Sequence, residues 1–176
     1  MREYCFTEAT PFIEFLDKYQ SKIIGTQLKN LYIDSWHSYG QRVWSDQPVV
    51  LELDNCFVVI NYFIPSDISI LVGTKNEVLR DKDVNKMIHR KDQFFDYCGR
   101  EFGFGVKPEE IKNCRITKME VEKFSSAFEC NPSTGAGRPD GGDYFSTIRL
   151  YLDSGALLCF CGADSVDDGY IQIWCK

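Results

Sequence analysis

Residues 49–63 read Val49-Val50-Leu51-Glu52-Leu53-Asp54-Asn55-Cys56-Phe57-Val58-Val59-Ile60-Asn61-Tyr62-Phe63, and this stretch decides the fold class. Val49, Leu51 and Leu53 recur at every second position, the period of a strand whose alternate side chains share a face. Asp54-Asn55 supplies turn chemistry. Cys56 to Phe63 is then apolar at nearly every residue, the pattern of a strand covered on both faces. Pro65-Ser66-Asp67 turns the chain again and Ile68–Val72 supplies a third strand.

Outward from this block, a first helix is expected after Thr10, with Pro11 at its first position and Phe12, Ile13, Leu16 and Tyr19 on one face. Gly25 ends it. Residues 28–33 fit a short strand or more helix. A second helix is expected through Val84, Met87, Ile88, Phe95 and Cys98, closed by Gly99. Lys107 to Ile111 fits one more helical turn. Thr117–Glu122 alternates, with Met119 and Val121 inward and Lys118, Glu120 and Glu122 in water. The last strands follow Asp143: Ile148, Leu150 and Leu152, an Asp153-Ser154-Gly155 turn, the apolar run 156–161, and Tyr170–Cys175.

Leu51-Glu52-Leu53-Asp54-Asn55-Cys56 echoes Leu150-Tyr151-Leu152-Asp153-Ser154-Gly155. Such turns recur in unrelated hairpins, which favours coincidence. A true echo implies two related three-strand halves with the second helix between them. The expected architecture is one α+β domain over residues 1–176: an antiparallel β-meander of six or seven strands with one or two helices packed on one face.

Composition narrows the function classes. The chain is 44% apolar and 14% aromatic, enough for a packed core. Its net charge of −6, from 26 acidic and 20 basic side chains, argues against nucleic-acid binding and favours a basic protein partner. The opening Met1-Arg2-Glu3-Tyr4 lacks the basic-then-apolar pattern of a secretory leader, and no run reaches membrane-spanning length. A cytoplasmic protein with reduced thiols is expected, and no cofactor is called for.

Eight cysteines contain no C-x-x-C pair. Cys159 and Cys161 share a strand face and read as core filler. Cys175 completes a zinc trio only where its strand pairs to put it beside them, and a fourth ligand is missing. A thiol-dependent enzyme would pair a cysteine with His37 or His89, without any local signature for the pair. His89, beside Arg90 and Lys91, reads as a solvated surface residue.

Recognition residues are sought in three places. The polar segment 34–48 carries Trp36, His37, Tyr39 and Trp44, and tryptophan and tyrosine dominate binding hot spots, although tryptophan is more often core. The Gly/Pro-rich loop 131–143 presents Arg138 as an anion contact or a lid, against the blander reading of a plain surface loop. Asp164, Asp167 and Asp168 crowd one turn at a spacing calcium does not use. With Glu120, Glu122 and Asp143 they form an acidic face that would steer a basic partner.

The Leu-x-Leu-Asp turns, the doubly apolar strands and the closing Tyr170-Ile171-Gln172-Ile173-Trp174 strand resemble small bacterial immunity-type proteins of polymorphic toxin systems. The resemblance implies a non-enzymatic, acidic protein that binds and blocks a toxin; no functional residue carries over. The alternative from another class is a small-ligand binder with a pocket between sheet and helix, lidded by the 131–143 loop.

Overall fold

The structure, a computed structural model, describes residues 4–6, 9–33, 36–39, 42–46, 48–64, 67–89, 111–125, 143–162 and 170–175. The elements run β1 (Tyr4–Phe6), α1 (Ala9–Ile23), β2 (Leu28–Tyr32), β3 (Trp36–Tyr39), β4 (Arg42–Asp46), β5 (Val49–Leu53), β6 (Phe57–Ile64) and β7 (Asp67–Gly73). They continue with α2 (Lys75–Val78), α3 (Lys82–His89), β8 (Ile116–Ser125), β9 (Asp143–Leu152), β10 (Leu157–Gly162) and β11 (Tyr170–Cys175). The protein is α+β and its described sheets are antiparallel. They are two, not one meander: a five-stranded sheet in the order β1-β7-β6-β5-β2 and a six-stranded sheet in the order β3-β4-β11-β10-β9-β8.

The division has a physical cause in the strand patterns. Both central hairpins bury a full row of apolar side chains, and each row needs an opposing layer. Val49, Leu51, Leu53, Val58, Ile60 and Ile70 of the first sheet meet Ile116, Ile148, Leu150, Leu158, Phe160 and Ile173 of the second in one core. Helix α1 closes this core with Phe12, Phe15, Leu16 and Ile23, lying against β8, β9 and β1. Alternate residues Val50, Phe57, Val59 and Leu71 point the other way, into a second cluster with Val78, Val84 and Met87 of α2 and α3. The doubly apolar reading of residues 56–63 is thus realised where side chains are described: sheet lies on one side, helices on the other. The helices therefore flank the first sheet on different sides, rather than sharing one face as expected.

Several boundaries differ from the sequence reading. Helix α1 begins at Ala9, so Thr10 and Pro11 lie in its first turn; proline is tolerated there because that N–H has no intrahelical acceptor. Residues 28–32 resolve as strand. Segment 34–48, read as a polar loop, contributes the hairpin β3–β4, which leaves the first sheet and extends the second through β4 and β11. Its aromatic and valine residues suit a pleated strand, and the polar residues between them hid the pattern. The apolar stripe of the second helix is seen in buried Val84 and Met87; Phe95, Cys98, Gly99 and the 107–110 turn lie outside the described residues.

The echo between the two strand blocks is a structural repeat. Leu28 pairs with Leu53 and Ile116 with Leu152, and each ladder is interrupted by a bulge immediately afterwards. Beyond it, Asn30–Glu52, Leu31–Leu51 and Tyr32–Val50 correspond to Lys118–Tyr151, Met119–Leu150 and Glu120–Arg149. The following hairpins keep step, with Leu51–Val58 and Val49–Ile60 matching Leu150–Leu158 and Ile148–Phe160. The turns fix the register of the two hairpins, but not the matching β2–β5 and β8–β9 pairings with their equivalent bulges, so turn chemistry alone does not account for the repeat.

The halves meet at their equivalent starts. Gln27 and Arg115 form an isolated antiparallel bridge. Around it the bonds come in matched pairs: the Gly25 N–H donates to Ile116 O at 2.7 Å and the Asn113 N–H to Leu28 O at 2.7 Å. Likewise Ile116 N–H donates to Thr26 O at 2.9 Å and Leu28 N–H to Cys114 O at 3.0 Å. Gly25 and Asn113 hold matching positive φ values of 85° and 65°. Glycine and asparagine are the residues that enter this region most readily.

Candidate functional site

Strand β8 ends the second sheet, and its alternation sets the chemistry of that edge. Met119 is buried and Val121 half-buried, while Lys118 and Glu122 are exposed and Glu120 is half-buried. Helix α1 runs beside it. With Phe12, Phe15 and Leu16 committed to the core, Ile13, Asp17 and Gln20 fall on the flank facing β8. Between helix and strand lies an open groove of about 380 Å³, walled by Ile13, Leu16, Asp17 and Gln20 on one side. Met119, Glu120, Val121 and Glu122 wall the other, with Arg149 of β9 behind them.

The floor is apolar and the rim is acidic. Asp17, Glu120 and Glu122 bring three carboxylates to the groove against one guanidinium, Arg149, which pairs with Glu122. The Lys118 ammonium pairs with Glu120, and the Tyr151 hydroxyl donates to the same carboxylate at 2.6 Å. Lys118 also lies 5.2 Å from the centre of the Tyr151 ring, within cation–π range. The Lys118 and Tyr151 hydrogen bonds hold the Glu120 carboxyl below the usual carboxylate range. The same bonds raise the Lys118 ammonium and the Tyr151 phenol above theirs. Glu120 is therefore an anion at neutral pH.

The corresponding pair in the first half has its roles exchanged. Tyr32 and Glu52 occupy the places of Glu120 and Tyr151, and the Tyr32 hydroxyl donates to Glu52 at 2.5 Å. Tyr32 is 6% exposed because its face is packed with the α2–α3 cluster. Burial, then the Glu52 hydrogen bond, pushes its phenol far up. In the first half the tyrosine is packed with the helix cluster and its carboxylate is half-buried, whereas the second pair is open beside the groove.

The described residues of the aromatic segment fall apart from this groove. Trp36, His37 and Tyr39 lie on β3 and Trp44 on β4, where His37 pairs with Trp44 in the ladder. In the sheet order β3 and β8 are opposite ends, so the aromatic hairpin and Glu120/Glu122 do not form one patch. Arg138, loop residues 131–142, and Asp164, Asp167 and Asp168 lie outside the described residues. Asp143 pairs with Ser125 at the far end of the β8–β9 ladder. Glu120 and Glu122 stand as read, on the wet face of their strand. Asp17 and Gln20 were not singled out, because a polar helix flank is usually only solvated; their sole signal is their spacing from Ile13.

The thiols offer no comparable site among the described residues. Cys56 is buried, and burial pushes its thiol up to about 11, the reverse of an activated nucleophile. Cys159 is 1% exposed. The register sets Cys175 opposite Leu158 and Trp174 opposite Cys159, so Cys175 is off the row shared by Cys159 and Cys161. His89 is exposed at the end of α3, where its Nδ1–H donates to Asn85 O at 2.8 Å. The void between the sheets measures about 20 Å³ and is lined only by apolar side chains. It is too small for an organic ligand and too apolar for water.

Among the described residues no helix is long and apolar enough to cross a membrane. The chain matches no family model, no curated protein and no solved structure with which it was compared.

Proposed function

We propose that this protein is a non-enzymatic, cytoplasmic interaction module that binds a basic protein partner, in the manner of an immunity-type inhibitor of a toxin. The observation that carries the reading is the groove between α1 and β8, whose apolar floor is rimmed by Asp17, Glu120 and Glu122. Three carboxylates against the Lys118 ammonium and the Arg149 guanidinium leave the rim negative, and beside an apolar floor this suits a long basic side chain, whose stem packs while its head stays hydrated. The overall charge of −6 supports the same polarity of partner and speeds its capture.

The test is affinity purification of the full chain from its own cells, beside a chain carrying Asp17→Lys, Glu120→Lys and Glu122→Lys. A basic protein retained by the first and lost by the second supports the reading. An identical set of retained proteins for both chains refutes it.

A further inference from the structure

The groove between α1 and β8 is closed to a further main chain. Helix α1 brings Cα atoms within 8 Å of both β8 and β9. Layers packed directly on one another already stand ~10 Å apart, so no strand fits between these two. The open volume of about 380 Å³ is therefore space for side chains.

The three carboxylates of the rim are not equivalent. Glu120 is paired with Lys118 and Tyr151, and Glu122 with Arg149. Asp17 has no cation beside it among the described residues; its side chain accepts one bond, from Gln20 Nε2 at 3.3 Å. A helix sets residues three and four places apart against one another. At those places from Asp17 stand Ile13, Glu14, Gln20 and Ser21, none of them basic. Three carboxylates against two cations leave one negative charge, and it sits on the helix wall.

Resting on the proposed binding of a basic partner, we infer that the groove takes a single arginine side chain of that partner, anchored by Asp17. The stem lies along half-buried Ile13 and Val121, with Leu16 and Met119 beneath. The guanidinium meets both oxygens of Asp17 at once, a bidentate geometry that an ammonium does not match. Arg149 at the back repels the incoming cation and holds it to the helix side. Glu120 and Glu122 keep their own cations throughout.

The probe is N-acetyl-arginine methylamide titrated into the ¹⁵N-labelled full chain, beside its uncharged citrulline and its lysine counterparts. The inference predicts saturable shifts of amides within residues 13–20 and 119–122 with the arginine compound, none with citrulline, and weaker binding of lysine. Asp17→Asn, on an exposed helix flank, should weaken the arginine compound ~tenfold. The double variant Glu122→Gln/Arg149→Gln removes a whole ion pair at constant net charge and should change affinity less than ~twofold. Binding that survives Asp17→Asn unchanged, or falls equally in the double variant, overturns the anchor. If a basic partner is still lost on reversing all three carboxylates, the reading of the groove nonetheless stands. Equal affinity for lysine overturns the guanidinium assignment, and no saturable shift with the arginine compound overturns the inference as a whole.

Discussion

Gln27 and Arg115 face one another across a single antiparallel bridge, and the backbone bonds on either side of it are exchanged when the two halves of the chain are interchanged. This pair is the pivot of a pseudo-twofold arrangement. Arg115 adds a side-chain bond of its own, its guanidinium donating to Gly25 O at 2.7 Å. The two sheets are thereby joined at the start of β2 and β8, and each half covers the apolar row of the other.

The pivot predicts an unequal tolerance at Gly25. Its φ of 85° strains any L-residue, although nothing lies within 4 Å of an added Cβ. Asparagine already serves at the equivalent Asn113. In urea denaturation Gly25→Val is expected to cost about 1–2 kcal/mol and Gly25→Asn less than about 1 kcal/mol. Equal losses would contradict the equivalence.

The shared core predicts a contrast within β10. Phe160 is fully buried between the sheets, and Leu157 is half-buried on the opposite face. Phe160→Ala is expected to destabilise by about 3–5 kcal/mol, the usual cost of emptying an aromatic core site. Leu157→Ala should cost roughly 1–2 kcal/mol, since only part of its side chain leaves water. Chemical denaturation of both variants measures the difference.

Cys56 ties stability to alkaline pH. Its thiol titrates at about 11 in the fold, mainly through burial, against about 9 when unfolded. Between these values the unfolded chain has lost a proton that the folded chain keeps. Folding stability therefore falls as pH rises from about 9 to about 11, and is unaffected by this group at lower pH. Cys56→Ala should flatten that part of the stability–pH curve, while at pH 7 alkylating reagents should leave Cys56 unmodified in the native protein.

Glu120 controls the phenol beside the groove. Its hydrogen bond is the main cause of the upward shift of Tyr151, followed by desolvation and its charge. Replacing Glu120 by glutamine removes the anion, so the Tyr151 phenol should ionise at lower pH than in the wild type. Ultraviolet titration of Glu120→Gln against the wild type, with Tyr151→Phe to identify the signal, checks this. An unchanged Tyr151 titration would count against the geometry of the pair.

Much of this fold was legible locally. The period-two rows of β5, β8 and β9, the Asp54-Asn55 and Asp153-Ser154-Gly155 turns, and the double apolarity of residues 57–60 in β6 all stand where the sequence put them. The division into two sheets was not legible, because a row of apolar side chains demands a partner layer without naming it. The repeat was obscured by its outer faces. Tyr32, Val50, Phe57 and Val59 are covered by helices, whereas their counterparts Glu120, Arg149, Leu157 and Cys159 follow different demands. Only the inner rows, which face each other, retain the echo. The groove was half legible: Glu120 and Glu122 were visible as a wet face, but only tertiary packing brings Asp17 and Gln20 beside them.

The claim on which the functional account depends is that a basic segment occupies the α1–β8 groove, and site-specific photo-crosslinking tests it most directly. A benzophenone side chain replaces Gln20 at the groove in one chain and exposed Lys75 on α2 in another, and each is irradiated in its own cells. The account predicts a crosslink from position 20 alone, to a basic segment of one protein, lost when Glu120→Lys and Glu122→Lys are added. Crosslinks of equal yield from both positions, or a position-20 product that survives the charge reversals, would contradict it.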